Sequence, residues 1–339
     1  MMDINERIKL IKRNTEEIVT EEELKDLLKK KKKPVVYLGW SITGRTHIGY
    51  YIPVLKLADF LKAGFHVKLL LADMHGALDN TPWDVLEKRY QYYAKTIPLM
   101  FKSIGADIKN FEIVKGSDFQ LSGKYFLDVL KMSSFVSMGD AKRAGSEVVK
   151  FGDNPKLSGL IYPVMQALDE EYLGVDIQYG GVDQRKIFMF ARENHPKLKY
   201  KPRIEIMTPL ISGLVGKKMS ASDAGSKIDL LDDEKIVQRK VKGADCVAGN
   251  PDNGVMAFLK YVIMVLKQDK CEKFVVERNE KYGGDLEYEN YKKIEKDFVE
   301  KKLHPLDLKN AVAKEIVKLL EPFEKNRKEL EKISREAWK

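Results

Sequence analysis

The sequence predicts an α/β protein: a parallel sheet covered by helices on both faces, with a helical insertion and a helical C-terminal region. Up to about Asp232, apolar runs of strand length alternate with stretches of helical period, which is the pattern of consecutive strand–helix–strand units. Between Lys124 and Val149 the signal is helical only, with breaks at Gly139 and Gly145. Beyond Asp232 the periodic stretches Gly254–Leu266, Tyr288–Glu300 and Leu306–Leu320 follow one another with no strand run between them. These observations divide the 339 residues into 1–232, with an insertion at about 124–149, and 233–339, the division falling near 228–235.

A helical opening runs from Asn5 to Lys33, and its lysine-rich end, Lys29–Lys33, reads as a solvated helix terminus where cations suit the dipole. After Pro34, Val35-Val-Tyr-Leu-Gly39 is a buried strand. An amphipathic stretch, Ile48–Leu61, precedes a second strand, Val67–Asp73. A long helix, Trp83–Ser103, tolerates Pro98 as a kink and precedes the strand Phe111–Lys115. The helix Ser158–Leu173 leads into the strand Asp176–Gly181. In such a sheet, ligands collect outside the carboxyl ends of the strands.

Composition sets bounds on function. Hydrophobic residues make up 44% of the chain, ordinary for a globular protein, and no apolar run reaches membrane-spanning length. The N-terminus has no signal-peptide core. Two cysteines, Cys246 and Cys271, lack a C-x-x-C or Cys/His neighbourhood, so neither a disulfide framework nor a protein-bound metal is expected, and a reducing cytoplasmic setting is. A net charge of +9 makes a nucleic acid a reasonable partner without specifying one.

Three segments carry chemistry. Tyr162, Gln166 and Asp169 lie at i, i+4 and i+7, so they share a helix face with a phenol, a carboxamide and a carboxylate on it. Glu170 and Glu171 turn away and can face water, whereas Asp169, among Leu168, Tyr172 and Leu173, needs a partner if buried. A surface helix with a wet face accounts for this stripe equally well. Ser41-Ile-Thr43-Gly-Arg-Thr-His47-Ile-Gly49-Tyr50 is a glycine-bearing turn entering a helix, where backbone N–H groups with Thr43 and His47 can hold a phosphate; a capped helix start explains it equally well. Gly213-Leu-Val-Gly216-Lys217-Lys218-Met-Ser220-Ala221-Ser222 is a cationic loop suited to a polyphosphate, or else an exposed basic turn.

Taken together, in order, these segments and Gly180-Gly-Val-Asp183-Gln184-Arg185 resemble the class I aminoacyl-tRNA synthetases. With Tyr37 and His304-Pro-Leu-Asp307, the chain resembles the tyrosyl branch found in archaea and eukaryotes, from about Ile8 to Lys325. The resemblance implies a Rossmann-like catalytic domain, a C-terminal anticodon-binding domain, and activation of L-tyrosine by Mg-ATP followed by transfer to tRNA(Tyr). It implies that Tyr37 and Asp169 bind the phenolic hydroxyl and that Tyr162, Gln166 and Gln184 surround the α-amino group. Gly39, Thr43, His47, Gly49 and Asp183 would hold ATP, with Lys217 and, from the loop at 218–222, Lys218, Ser220 and Ser222 following the triphosphate. His47, Lys218, Ser220 and Ser222 would be the catalytic residues, His47 and Lys218 as electrostatic stabilisers of the reacting phosphates. Tyr282, His304 and Asp307 would read the anticodon, Arg185 would lie near the acceptor end, and Lys142 and Arg143 are further tRNA candidates. A homodimer through 124–149 is implied, and no further C-terminal RNA-binding module is expected.

Two positions depart from the family signature: Tyr50 stands where a second histidine is usual, and Ala221 where a hydroxyl or lysine is usual. Lys217 can compensate for the second. The rival readings are a tryptophanyl relative, opposed by the Tyr37 and Asp169 pair, and a catalytically silent RNA-binding paralogue, suggested by the two departures.

Overall fold

The structure, a computed structural model, describes residues 2–211, 213 and 227–338. Among the described residues six strands form the main sheet: β1 (Glu17–Val19), β2 (Val35–Trp40), β3 (His66–Leu71), β4 (Phe111–Lys115), β5 (Ile177–Gly181) and β6 (Ile204–Thr208), in the order β1-β6-β5-β2-β3-β4. All pairs are parallel except β1 with β6. The chain therefore winds outward from β2 through β3 to β4, then returns to the other side of β2 with β5 and continues to β6. β2 and β5 flank the point where the winding reverses.

Several elements differ from the sequence reading. The helical opening is two helices, Ile4–Lys12 and Glu21–Lys30, separated by β1. Asn14 in a left-handed conformation (φ 54°) follows the first helix, and Thr20 starts the second with a reciprocal capping box to Glu23. β6 has a strand's length but carries Glu205 between Ile204 and Ile206, which masks its apolar pattern. The helix read from Trp83 begins at Leu86 after a 3₁₀ turn at Trp83–Val85; it passes through Pro98 and ends at Ile104, before Gly105 (φ 72°). The predicted helix at Ile48 is a 3₁₀ turn, Ile48–Tyr50, leading into Tyr51–Lys62.

The insertion forms two helices, Gly123–Phe135 and Met138–Gly145. Its break is at Val136 and Ser137, where the Ser137 side chain caps the second helix, so Gly139 lies inside a helix and not at a break. Among the described residues after Asp232, helices dominate, but a two-stranded antiparallel ribbon, β7 (Phe274–Val276) with β8 (Leu286–Tyr288), interrupts them. Each strand is three residues long, too short for alternation to register. Tyr288 consequently belongs to β8, and the helix read from it starts at Tyr291 with Asn290 as its cap. The helix Pro305–Lys325 is followed by another, Arg327–Ala337.

One buried hydrophobic cluster runs from the sheet into the C-terminal helices, joining Val36 and Leu69 to Ile316 and Leu320. Tyr51 of the first crossover helix donates to the Leu319 carbonyl at 2.9 Å, and the Asp269 carboxylate binds Lys62 and Arg13. No helix among the described residues is long and apolar enough to cross a membrane.

Candidate functional site

A cavity of about 420 Å³ opens at the carboxyl ends of β2 and β5, where the winding of the sheet reverses. Tyr37 from β2, Tyr162, Gln166 and Asp169 from the helix Leu157–Tyr172, and Asp183 and Gln184 from the turn after β5 all line it, as do Gly39, His47 and Gly49. The polar stripe of the helix thus faces the cavity. Glu170, read as able to face water, is instead fully buried, because that side of the helix packs towards His195; Glu171 pairs with Arg203 at 2.6 Å.

At the inner end, the Tyr37 hydroxyl accepts the Gln178 Nε2–H at 2.7 Å and stands 3.4 Å from the Gln166 carbonyl. Burial, and then the Asp169 charge, hold the Tyr37 phenol well above its ordinary pKa. Asp169 Oδ1 accepts from Gln120 Nε2 and from the Tyr125 hydroxyl, each at 2.8 Å. Burial raises the Asp169 carboxyl to about 8 against the opposing pull of those two donors. The second Gln120 N–H reaches His75 Nδ1 at 3.3 Å, which places the His75 proton on Nε2, 3.7 Å from Asp169 Oδ2. Burial holds His75 neutral, with a pKa of about 4. The inner end therefore offers one phenol and one carboxyl, each oriented by a carboxamide.

Nearer the mouth, the Gln166 Nε2–H donates to Gln184 Oε1 at 3.1 Å, and the Tyr162 hydroxyl pairs with Ser41 Oγ at 3.2 Å. Two glycines allow the close approach of this wall: a Cβ on Gly180 would meet Phe188 Cζ at 2.7 Å, and one on Gly181 would meet Asp183 Oδ1 at 2.6 Å.

His47 begins the 3₁₀ turn Ile48–Tyr50, its Nδ1 accepting the Gly49 N–H at 3.2 Å. That bond places its proton on Nε2, and burial followed by the Lys227 charge lowers its pKa to about 4, so it is a neutral donor. Tyr50 packs edge-on against His47 and Trp40, with ring centroids 4.9 and 4.8 Å away, and its hydroxyl bonds Tyr93 at 3.1 Å. An aromatic at this position thus supports His47.

The loop before His47 is held from outside. The Thr43 carbonyl accepts from Arg89 at 2.6 Å and from Trp338 Nε1 at 3.4 Å, and the Gly44 carbonyl accepts from Tyr93 at 2.6 Å. Thr43 itself is not part of the cavity wall. Lys217, Lys218, Ser220, Ala221 and Ser222 lie outside the described residues.

The proposed RNA-reading residues lie elsewhere. Tyr282 is 64% exposed on a 3₁₀ turn that ends in two glycines at positive φ, with the Lys281 ammonium 4.8 Å from its ring centroid. His304 caps the helix Pro305–Lys325, with Asp307 in its first turn. Arg278 donates to the carbonyls of Gly284 and Lys302, at 2.9 and 3.4 Å, and so draws the Tyr282 turn towards the start of that helix. Arg185 is exposed and holds Glu17 in a bidentate pair at 2.7 and 2.9 Å, while Lys142 and Arg143 are exposed on the second insertion helix.

Sequence reasoning missed Gln178, Gln120, Tyr125, His75, Arg89 and Trp338. Gln178 was findable, since a carboxamide inside an apolar strand run is an unusual residue to bury. The others give no local signal.

A family model described as tRNA synthetases class I (W and Y) matches residues 29–321. The cytoplasmic tyrosine–tRNA ligase of Xenopus tropicalis is 48% identical over 98% of this chain and 63% of its own length, so the chain spans less than two-thirds of that relative. The tyrosine–tRNA ligase of Natronomonas pharaonis is 45% identical, over 95% of this chain and 94% of its own length. The crystal structure of the tyrosyl-tRNA synthetase of Archaeoglobus fulgidus complexed with L-tyrosine superposes with a TM-score of 0.87 at 43% identity, covering 95% of this chain and 99% of that one.

Proposed function

This chain belongs to the class I tRNA synthetases of the tryptophan and tyrosine group, and from that premise we propose that it is a tyrosine–tRNA ligase. It activates L-tyrosine with ATP, entering as its magnesium complex, and transfers the aminoacyl group to the 3′ end of tRNA(Tyr). The observation that carries this reading is the inner end of the cavity, where Tyr37 and Asp169 converge and each already has a carboxamide donor. A phenolic hydroxyl lodged there accepts from Tyr37 and donates to Asp169. A phenylalanine side chain would strand both groups, and buried polar groups without partners are costly. The identity to tyrosine–tRNA ligases favours the same amino acid over tryptophan.

Tyr162, Gln166 and Gln184 surround the amino group of the substrate, and its carboxylate then attacks the α-phosphate in line, with pyrophosphate leaving. No protein nucleophile is required: alignment and charge stabilisation supply the catalysis. The neutral His47 donates Nε2–H to a phosphate oxygen. Gly39 and Gly49 leave room for the nucleotide, Asp183 binds the ribose, Lys217, Lys218, Ser220 and Ser222 follow the triphosphate, and Thr43 acts through its place in the loop.

Residues 233–339 are assigned to anticodon binding, with Tyr282 stacking on a base and His304 and Asp307 beside it; the exposed ring supports this role. Arg185, Lys142 and Arg143 are assigned to the rest of the tRNA. The insertion exposes Phe126 (60%) and Met138 (77%), which supports a homodimer through it. A cytoplasmic location matches that in the name of the Xenopus relative.

ATP–pyrophosphate exchange with each amino acid in turn tests the reading. Exchange driven by tyrosine alone is expected. Exchange driven by tryptophan would make the chain the tryptophan-specific relative, and RNA binding without any exchange would make it a silent paralogue.

A further inference from the structure

Parallel register places Tyr37 of β2, Gln178 of β5 and Glu205 of β6 in one row across three neighbouring strands. Side chains in register on adjacent parallel strands project to the same face, with backbones roughly 4.8 Å apart. Tyr37 and Gln178 line the inner end of the cavity, and Glu205 stands next along the row, outside the cavity wall. Gln178 uses its Nε2–H on the Tyr37 hydroxyl, and its Oε1 is buried with no donor among the described residues. Glu205 is 0% exposed, and among the described residues neither of its carboxyl oxygens meets a donor.

An ionised Glu205 would set acceptor against acceptor beside Gln178 Oε1. It would favour the opposite amide orientation, with Nε2 turned to Glu205 and Oε1 turned to Tyr37. The Tyr37 proton would then be spent on Oε1 and withheld from the cavity. A protonated Glu205 supplies the donor that the observed orientation lacks.

We propose that Glu205 is a neutral carboxylic acid and a positioning residue for phenol recognition: its O–H donates to Gln178 Oε1, Gln178 Nε2–H donates to Tyr37 Oη, and the Tyr37 O–H is left to donate into the cavity. The surroundings support it. Burial pushes the Glu205 carboxyl well above the ordinary range, as it does that of its neighbour Glu170, against the weaker pull of Arg192 and Arg203. Glu170, its carboxyl likewise raised by burial, has an acceptor of its own to face. It is itself 0% exposed and faces His195 Nδ1 at 3.7 Å, and Nδ1 is an acceptor because His195 Nε2 donates to the Ala167 carbonyl at 2.9 Å. Bonds in such a chain polarise one another in one direction. Tyr37 is only weakly engaged by the Gln166 carbonyl at 3.4 Å, so its proton is available to a substrate oxygen.

The inference rests on the cavity being a tyrosine site. Its test is ATP–pyrophosphate exchange by the intact protein with tyrosine and with phenylalanine, for the parent, Glu205→Gln, Glu205→Leu, Gln178→Leu and the Glu205/Gln178 double leucine variant. Glu205→Gln retains a donor, so the tyrosine-to-phenylalanine ratio of kcat/KM should stay within about twofold of the parent; Glu205→Leu removes one hydrogen bond from the chain and should lower it about fivefold to tenfold, mainly through the KM for tyrosine. The double variant should be no worse than Gln178→Leu alone, because the two residues act in series. A ratio preserved in Glu205→Leu would reduce Glu205 to packing. A ratio lost in Glu205→Gln would mean that an ionised carboxylate is needed, and Glu205→Gln decides this even if the leucine variants do not fold. A parent with no tyrosine-dependent exchange would remove the tyrosine site and this inference together, whereas an active parent with additive losses removes only the chain.

Discussion

The Tyr125 hydroxyl donates to Asp169 Oδ1 at 2.8 Å across 44 residues of sequence, joining the insertion to the helix that bears the cavity's polar stripe. With Gln120 it provides the donors that an ionised Asp169 needs in a site that otherwise favours protonation. The proposed recognition of a hydroxyl by Asp169 therefore depends on residues that need not touch the substrate.

Asp169→Asn should leave the fold intact and lower selectivity. Loss of a hydrogen bond to a buried carboxyl raised to about 8 is worth about 0.5–1.5 kcal/mol, or roughly 2- to 10-fold in kcat/KM for tyrosine, while phenylalanine should change little. Exchange kinetics with both amino acids check this, and unchanged selectivity would take Asp169 out of the site.

Stability should fall on acidification through two imidazoles. His47 and His75 have folded pKa values of about 4 against an ordinary 6.5, so their contribution is complete above 6.5 and is lost as pH falls through 4. At 1.4 kcal/mol per pKa unit, each is worth at most roughly 3 kcal/mol. Asp169 has the opposite sign: raised from 3.8 to about 8, its contribution is complete below 3.8 and is lost as pH rises through 8. Melting temperature against pH should show a shallower acid limb in His75→Asn and a shallower alkaline limb in Asp169→Asn. Limbs identical to the parent would place both groups in contact with water.

Trp338 should matter for ATP more than for tyrosine. Besides bonding the Thr43 carbonyl, its ring lies 5.3 Å from the Arg89 guanidinium, which bonds the same carbonyl. Trp338→Leu removes a hydrogen bond and a cation–π contact, together about 1–2 kcal/mol, so the KM for ATP should rise roughly fivefold to 30-fold with the KM for tyrosine nearly constant. A lower melting temperature with an unchanged KM for ATP would show that Trp338 merely anchors the helix end.

Asp307→Ala and Tyr282→Ala should impair charging of tRNA without slowing exchange. Stacking contributes about 1–3 kcal/mol per base, and a lost carboxylate relaxes the choice at one base. Aminoacylation of the natural tRNA and of a transcript altered at the first anticodon base measures both effects. Equal discrimination by the Asp307 variant would leave that residue as part of a capped helix start.

Local signals were legible wherever chemistry and period coincide within one element. The alternation of strand and helix gave the parallel sheet, because buried strands and amphipathic helices each impose their own period. The spacing of Tyr162, Gln166 and Asp169 predicted a shared face, and all three line the cavity. Short or polar elements were not legible. β6 hides behind Glu205, and the β7–β8 ribbon is below the length at which alternation can be read. The sequence also left Glu170 free to face water, since helical spacing tells which residues share a face but not how much of the helix is covered.

By itself, then, the sequence determined the fold class, the helix face bearing Tyr162, Gln166 and Asp169, and the placing of His47 at a helix entrance, because each follows from backbone geometry over a few residues. Only the tertiary structure decided the charge and direction of those groups. The neutral His47 and His75, the raised Asp169 carboxyl, the Gln178 bond to Tyr37 across 141 residues, and the Trp338 bond to Thr43 across 295 all follow from desolvation and from partners brought together when distant segments pack. Burial and long-range pairing are properties of the assembled interior, and no window of sequence contains them.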